Sequence, residues 1–376
     1  MIVAGGTYTE ECIAPAWTAL LGSGGRAALT LQQFEPVEFH TFYPDSEEIN
    51  VNFGIRAVAH ASLAPITFRY LHPLALPTVD GLHTSVITSP HLTGESVLRF
   101  GCVEGDFVIH ARDAIYDPQG SALPFRMNGS SAERLALVLN AFETCFFGKS
   151  DNISTAASTL LSSEGADVVV VKCGPAGAIV FSSDLPNPLI VPAFRTDVVN
   201  KIGSGDVFSA MFAHYWSTCR LDAFTAANQA SLQVAEYVQT RLLPRSVKPP
   251  SREEVTGDVS RVHILLAADV DTTPALWLAH EARAALHRLG VAGVLMPQPH
   301  ERMSLDSMLT TCNAVLALPR TKGGKAALIS IAAKDRAKPC IAFSETTDVS
   351  EELSSVGAKV IRDFAASIYA VVWSAL

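Results

Sequence analysis

From Met1 to about Leu243, short runs of β-branched and aliphatic residues alternate with stretches whose apolar positions recur every three or four residues. Strand and helix periods taking turns in this way predict a largely parallel sheet covered by helices. The clearest unit lies between Asn152 and Phe181. Its spacing predicts a helix over 153–163, and Ala166-Asp167-Val168-Val169-Val170-Val171 then reads as a strand buried on both faces. Lys172 to Gly177 reads as a glycine turn and Ala178 to Phe181 as the returning strand. Upstream, Leu137-Val138-Leu139 predicts a strand that ends in Asn140-x-x-Glu143. Residues 244–258 are rich in Pro, Ser and charge and read as a linker. Beyond them strands are predicted at 262–267, 293–296, 314–318, 340–343 and 359–362. Helices are predicted at 273–289, 304–312, 326–337 and 364–376, which together suggest a small doubly wound α/β domain. The expected organisation is one domain over 1–243, a linker over 244–258 and a second domain over 259–376.

With 376 residues the chain has material for two cores. Hydrophobic residues make up 48% and charged ones only 17%, so membrane spans must be considered. The longest apolar runs, 166–171 and 135–139, are cut by charge, Asn or Gly well before the ~18 residues a span requires. Met1-Ile2-Val3-Ala4-Gly5-Gly6 has no basic segment and reads as a first core strand rather than a leader. A net charge of −9 with no basic block argues against nucleic acid or an anionic membrane as partner. Any phosphate would have to be held by backbone N–H groups and a metal ion. The seven Cys and eleven His are scattered, without Cys-x-x-Cys or His-Glu-x-x-His, and are expected to be reduced thiols and structural imidazoles of a cytoplasmic protein.

Ile202-Gly203-Ser204-Gly205-Asp206 opens an apolar run that continues to Trp216. Two glycines let the backbone bend and aim N–H groups at one point, and a helix beginning there adds its positive end. An anion suits that point. If it is a phosphoryl group in transfer, Asp206 stands where a carboxylate could take the proton of an attacking hydroxyl. The plainer alternative is that Asp206 merely caps the helix. Asn140 and Glu143, at the carboxyl edge of a strand, bring oxygens that suit Mg²⁺ held through water. The plainer alternative there is a helix N-terminus with Glu in its first turn.

Asn-x-x-Glu at a strand end, a strand followed by Lys-x-Gly-x-x-Gly, then Gly-Ser-Gly-Asp opening a helix: this ordered set resembles the ribokinase-like, or phosphofructokinase-B, carbohydrate kinase family over roughly residues 1–243. The resemblance implies a three-layer α/β fold and ATP-dependent phosphoryl transfer with Mg²⁺. It implies Asp206 as base, the amides of Gly203, Ser204, Gly205 and Asp206 as anion hole, and Asn140 and Glu143 as organisers of Mg²⁺. Lys172 and the Gly174–Gly177 turn would lie over the nucleotide, and Asn228 would face its base. Tyr116-Asp117-Pro118-Gln119 resembles the family's Asp-Pro-Asn strand end, and Gly24-Gly25 its glycine pair beside the acceptor. Three departures stand out. Asn200-Lys201-Ile202 replaces Asp-Thr-Thr, which suggests that the Lys201 ammonium supplies the charge of a monovalent cation. Glu10 or Glu11 stands for the sugar-binding Asp, and Arg26 for the usual Asn. Between Glu11 and Gly22 there is little room for a two-stranded lid. The acceptor is therefore left as a sugar, nucleoside or related small molecule.

Residues 259–376 more faintly resemble nucleoside 2-deoxyribosyltransferase-like domains, through the strand at 314–318 and Gly324-Lys325-Ala326-Ala327 leading into a helix. The nucleophilic Glu of active members falls on Leu328 and a common Asp on Asn313, so this domain is expected not to be catalytic. A nucleotide sensor at Gly323-Gly324 or a packing and dimerisation module remains, and a homodimer is compatible with the latter. The rival to a kinase is a catalytically inactive nucleotide-binding protein. An Asp206 carboxylate buried in a salt link, or a bend at Gly203 to Gly205 far from the end of the Leu137 to Leu139 strand, would end the kinase reading.

Overall fold

The computed structural model describes residues 1–82, 89–120, 123–246, 248–297 and 304–376. Residue 247 of the expected linker lies outside the described residues. The chain divides into two compact units, one of residues 1–173, 177–194 and 200–253, the other of 174–176, 195–199 and 254–376.

The first unit is built on a nine-stranded sheet. In chain order its strands are β1 (Ile2–Ala4), β4 (Glu38–Phe42), β5 (Ala57–His60), β8 (His91–Phe100), β9 (Val108–Asp117), β10 (Ser131–Asn140), β11 (Val168–Lys172), β12 (Ala178–Ser182) and β13 (Leu189–Val191). They lie in the order β13-β12-β11-β10-β9-β8-β1-β4-β5. All neighbours are parallel except the β11–β12 and β12–β13 pairs. Alternation along β10 explains the layers. Ala136 and Val138 enter a core with residues of helices α1 (Gly22–Leu31), α5 (Ser204–Ala213) and α6 (Ala223–Thr240). Leu135, Leu137 and Leu139 enter the opposite core with Ala157 and Leu160 of α4 (Ile153–Ser163). A sheet covered on both faces accounts for the unbroken valines of β11. That strand starts at Val168 rather than at Ala166, because the Asp167 carboxylate accepts from the Leu135 N–H at 2.8 Å and ends the loop there.

A second, four-stranded sheet runs β3-β2-β6-β7, with β2 (Thr9–Cys12), β3 (Trp17–Leu20), β6 (Thr67–Tyr70) and β7 (Thr78–Asp80). This corrects the expectation that Glu11 to Gly22 leaves too little room. Four residues between Cys12 and Trp17 suffice to turn an antiparallel hairpin, and the segment between β5 and β8 supplies two further strands.

The second unit contains a parallel five-stranded sheet in the order Gly293–Leu295, His263–Ala268, Ala314–Leu318, Cys340–Phe343, Lys359–Ile361. This is the 2-1-3-4-5 order of flavodoxin-like domains, as the alternating pattern suggests. The reading of the sequence overlooked the helix Thr347–Ser355, whose buried Val349 and Leu353 sit four residues apart on one face. Among the described residues no helix is long and apolar enough to cross a membrane.

Candidate active site

Gly203 ends the incoming chain in the left-handed region, φ +77°, and α5 starts on the next residue. A Cβ at Gly203 would fall 2.1 Å from Arg26 Nε, so both the torsion and the contact demand glycine. The Tyr237 hydroxyl donates to the Ile202 carbonyl at 2.7 Å and fixes the entry to the turn. Asp206 lies in the first turn of α5 but makes no cap; the N-cap position belongs to Gly203. The plainer reading of Asp206 as a helix cap is thereby removed. Of the four expected anion-hole amides, that of Ser204 donates to the Lys201 carbonyl at 3.1 Å. Those of Gly205 and Asp206 lie in the first turn, where an α-helix offers no acceptor of its own.

The Asp206 carboxylate, 7% exposed, is not unencumbered. Its Oδ2 accepts from Arg26 Nη1 at 2.6 Å and its Oδ1 from Gln119 Nε2 at 3.0 Å. Arg26 also binds Glu10 through both terminal nitrogens, Nη1 to Oε1 at 3.1 Å and Nη2 to Oε2. The requirement drawn from the sequence is not met as stated, since Asp206 sits in a buried salt link. That link joins Asp206 to Glu10 and Arg26, the two residues expected beside the acceptor. Burial raises the Asp206 pKa, and Arg26 lowers it against the opposing charges of Glu10 and Asp117; the result is a value pushed up to about 6. For Asp206 the guanidinium it shares with Glu10 does not offset the cost of burial.

Alternation along β2 separates the two acidic candidates. Glu10 is buried against Arg26, whereas Glu11 faces outward and pairs with Arg69 at 2.7 Å, so Glu11 is no part of the site. Gly24 and Gly25 serve packing: a Cβ on Gly24 would meet the Gly5 backbone at 2.5 Å and one on Gly25 the Phe53 ring at 2.8 Å. They let α1 press onto β1 and thereby bring Arg26 to the turn.

Cations and carboxylates surround the turn. Lys172, at the end of β11, donates to Asp117 Oδ2 at 2.5 Å, which also accepts from Ser209 Oγ at 2.6 Å. Burial lowers the Lys172 pKa, but Asp117 and Glu143 outweigh it and leave the ammonium raised. A Cβ on Gly205 would stand 3.7 Å from Lys172 Nζ, so the space over Gly205 faces this ammonium. Lys201 donates to Ser204 Oγ at 2.9 Å; burial and then the charge of Lys172 hold its pKa down. Asn140 and Glu143 form a capping box on α3 (Ala141–Gly148). Asn140 Oδ1 accepts from the Glu143 N–H and Glu143 Oε2 from the Asn140 N–H, both at 2.8 Å. Glu143 Oε1 accepts from the Gly120 N–H at 2.9 Å. Locally, then, the plainer reading of this motif is also realised. Burial and the nearby Asp117 raise the Glu143 pKa.

Among the described residues no cluster of three or more His, Cys, Asp or Glu is arranged to hold a metal ion. The donor set fits a hard cation only through water: each Glu143 oxygen has one lone pair engaged and another left, and Asn140 holds Glu143 in place. Gly174 and Gly177, of the turn expected over the nucleotide, have φ of +57° and +85°. Asn228, on α6, has a buried Oδ1 with no hydrogen-bond partner, as an acceptor awaiting an N–H would. Gln119 was not singled out as a site residue. The signal for it was its place two residues past the end of β9, where the Asp-Pro-Asn strand end it resembles has its Asn.

In the second unit Leu328 is exposed and offers no nucleophile. The Asn313 carboxamide is spent on the His263 N–H at 2.8 Å. The turn at Gly323-Gly324 was expected to suit an anion, but carboxylates already occupy it. Asp269 accepts from the Ala326 and Arg320 amides at 3.0 and 2.9 Å, and Glu352 from that of Gly323 at 2.9 Å.

Residues 135–245 match the family model of the pfkB family carbohydrate kinases. The motifs at 140–143, 172–177, 203–206 and 228 all fall inside this segment, and there the resemblance is borne out. Deoxyribokinases of Salmonella typhi and Salmonella typhimurium are each 38% identical over 66 residues, 18% of this chain and 21% of theirs. The match thus spans about a fifth of the length of these curated relatives. Ribokinase from Thermotoga maritima aligns with a TM-score of 0.44 and 16% identity over 66% of this chain and 95% of its own. A putative ribokinase from Agrobacterium tumefaciens aligns with a TM-score of 0.48 and 12% identity over 63% and 90%.

Proposed function

Because residues 135–245 carry the pfkB carbohydrate kinase pattern, we propose that this chain transfers a phosphoryl group from ATP to a hydroxyl of a sugar, nucleoside or related small molecule. The kinase domain in this reading is 1–243, and 259–376 is a non-catalytic α/β domain. The observation that carries the proposal is the placing of Asp206. A carboxylate with its pKa pushed up to about 6 lies in the first turn of α5, beside the Gly205 amide and the Lys172 and Lys201 ammonium groups.

The acceptor hydroxyl gives its proton to Asp206 while its oxygen attacks the terminal phosphorus. A base whose pKa lies near neutrality both stays available and keeps a driving force for proton uptake. The amides of Gly205 and Asp206 and the two lysines stabilise the charge on the transferring group, which is most of what a protein contributes to phosphoryl transfer. Mg²⁺ borne by the donor would be held by Glu143 through water and supplies further charge neutralisation when bound. The unpartnered Asn228 Oδ1 suits the exocyclic amino group of adenine. Glu10 is left to hold acceptor hydroxyls.

One observation favours a second reading. The Arg26–Asp206 pair closes the carboxylate against an acceptor, as a nucleotide-binding protein without turnover would tolerate. An ATP-consumption screen across sugars and nucleosides separates the two. The full chain should turn over with at least one acceptor, and Asp206→Asn should lower kcat by roughly 10²- to 10⁴-fold with little change in nucleotide binding. Nucleotide binding with no turnover on any acceptor would establish the second reading.

A further inference from the structure

Arg26 is the residue of the site that the motif pattern does not explain. Its guanidinium is 1% exposed, lies against Gly203 and bridges Glu10 on β2 to Asp206 on α5. Its Nε is buried and has no hydrogen-bond partner. A buried guanidinium short of one bond is costly, and its other bonds must fix something worth holding.

The two oxygens of Asp206 are held unequally. Oδ2 meets a charged donor at 2.6 Å, whereas Oδ1 meets the neutral carboxamide of Gln119 at 3.0 Å. Both bonds end on the carboxylate, but the guanidinium adds the attraction of opposite charges and makes the shorter contact, so it is the harder to displace. An entering hydroxyl therefore replaces Gln119 rather than Arg26.

Building on the phosphotransferase reading above, we infer that Arg26 is a positioning residue for the base. It fixes Oδ2 beside the Gly203–Gly205 turn and leaves Oδ1, the Gln119 side, as the oxygen that meets the acceptor. The hydroxyl proton passes to Oδ1 as the acceptor oxygen bonds to the terminal phosphorus. The bond from that phosphorus to the bridging oxygen breaks, and the electron pair leaves with the nucleoside diphosphate. The salt link is thus the resting arrangement of a working base, not a lock that must open.

The arrangement also sets the charge of Asp206. The groups that act on it electrostatically are Arg26 on α1, Glu10 on β2, Tyr70 on β6, Asp117 on β9, Lys172 on β11, Lys201 in the turn and Tyr237 on α6. Arg26 favours the ionised form, while Glu10 and Asp117 oppose it. Removing Arg26 or Glu10 must therefore move the acid limb of kcat/KM in opposite directions. In Arg26→Gln the limb should shift up by about one unit or more, a roughly fivefold or larger loss of rate at pH 6 that shrinks toward pH 8. In Glu10→Gln it should shift down. Arg26→Lys should return the limb but not the full kcat, since an ammonium cannot hold both carboxylates in one plane. Gln119→Ala should lower the acceptor KM and leave the limb in place.

The same titration is read without turnover from the carboxyl resonances of ¹³C-Asp-labelled chain, assigned with Asp206→Asn. Turnover with unmoved limbs in both Arg26→Gln and Glu10→Gln, or a Gln119→Ala shift as large as that of Arg26→Gln, overturns the inference. Opposite shifts of the Asp206 resonance support it even in a chain that turns over no acceptor, and that chain would sink the phosphotransferase reading alone. Should Arg26→Gln not fold, the downward shift in Glu10→Gln decides.

Discussion

Replacing Glu104 with Gln isolates one buried carboxylate whose cost can be worked out. Glu104 lies in the loop between β8 and β9, where the Tyr8 hydroxyl donates to its Oε2 at 2.7 Å and itself accepts from the Val103 N–H at 3.2 Å. Burial raises its pKa, against the lowering effect of the Tyr8 hydrogen bond, to about 7 from an ordinary 4.5. Because the folded value lies above the unfolded one, the native state binds this proton more tightly. Its stabilising effect is fully present below pH 4.5 and is lost as pH rises through 7. At ~1.4 kcal/mol per pKa unit the full loss at pH 8 would be about 3 kcal/mol, and partial exposure of the loop reduces this to roughly 1–2 kcal/mol. Gln keeps an acceptor for Tyr8 and carries no charge. Glu104→Gln should therefore match the parent at pH 4.5 and exceed it by that amount at pH 8. Urea unfolding at the two pH values, followed by fluorescence, measures the difference. A gain that is the same at both pH values, or a loss at pH 8, would refute the assignment of a burdened carboxylate.

Other outcomes follow from the same structure. Arg26→Met leaves two buried carboxylates without their shared cation and should cost about 3–5 kcal/mol, while the double variant with Glu10→Gln should recover most of it; a denaturant-unfolding cycle at pH 7.5 reads the coupling. If Lys201 supplies the charge of a monovalent cation, rates in K⁺ and in a bulky organic cation should agree within about twofold, and Lys201→Met should create a K⁺ requirement; a strong K⁺ dependence of the parent would remove Lys201 from that role. Asn140→Ala deletes one half of the capping box and should cost about 1 kcal/mol in unfolding experiments while raising the Mg²⁺ concentration needed for half-maximal rate, because Glu143 loses its orientation. A variant with unchanged stability and unchanged Mg²⁺ dependence would contradict both roles.

Periodicity and punctuation alone placed most elements of the second unit and, in the first, the run from Leu137 to Phe181. The helix at 153–163, the strand at 340–343 and the glycine turn before α5 depend on spacing that each segment carries within itself, and they were legible for that reason. The order of Asn140-x-x-Glu143, Lys172-Cys173-Gly174 and Gly203 to Asp206 likewise foretold that carboxylates, an ammonium and a bent backbone would gather at one sheet edge. In a parallel sheet every strand ends at the same edge, so order along the chain becomes neighbourhood in space.

What a residue does once it arrives was decided elsewhere. Glu10 and Glu11 are equivalent as letters, yet the pleat sends one toward Arg26 and the other toward Arg69. Arg26 and Asp206 lie 180 positions apart, and no local pattern could announce that a guanidinium would reach this carboxylate. The Gly323-Gly324 turn looked open to an anion until Asp269, from a different strand end, filled it. Pairing of charges depends on angstrom-scale distances and on burial, both set by how distant elements pack. The chain's own text fixes which groups meet at the sheet edge, and tertiary packing fixes which are paired, charged and able to react.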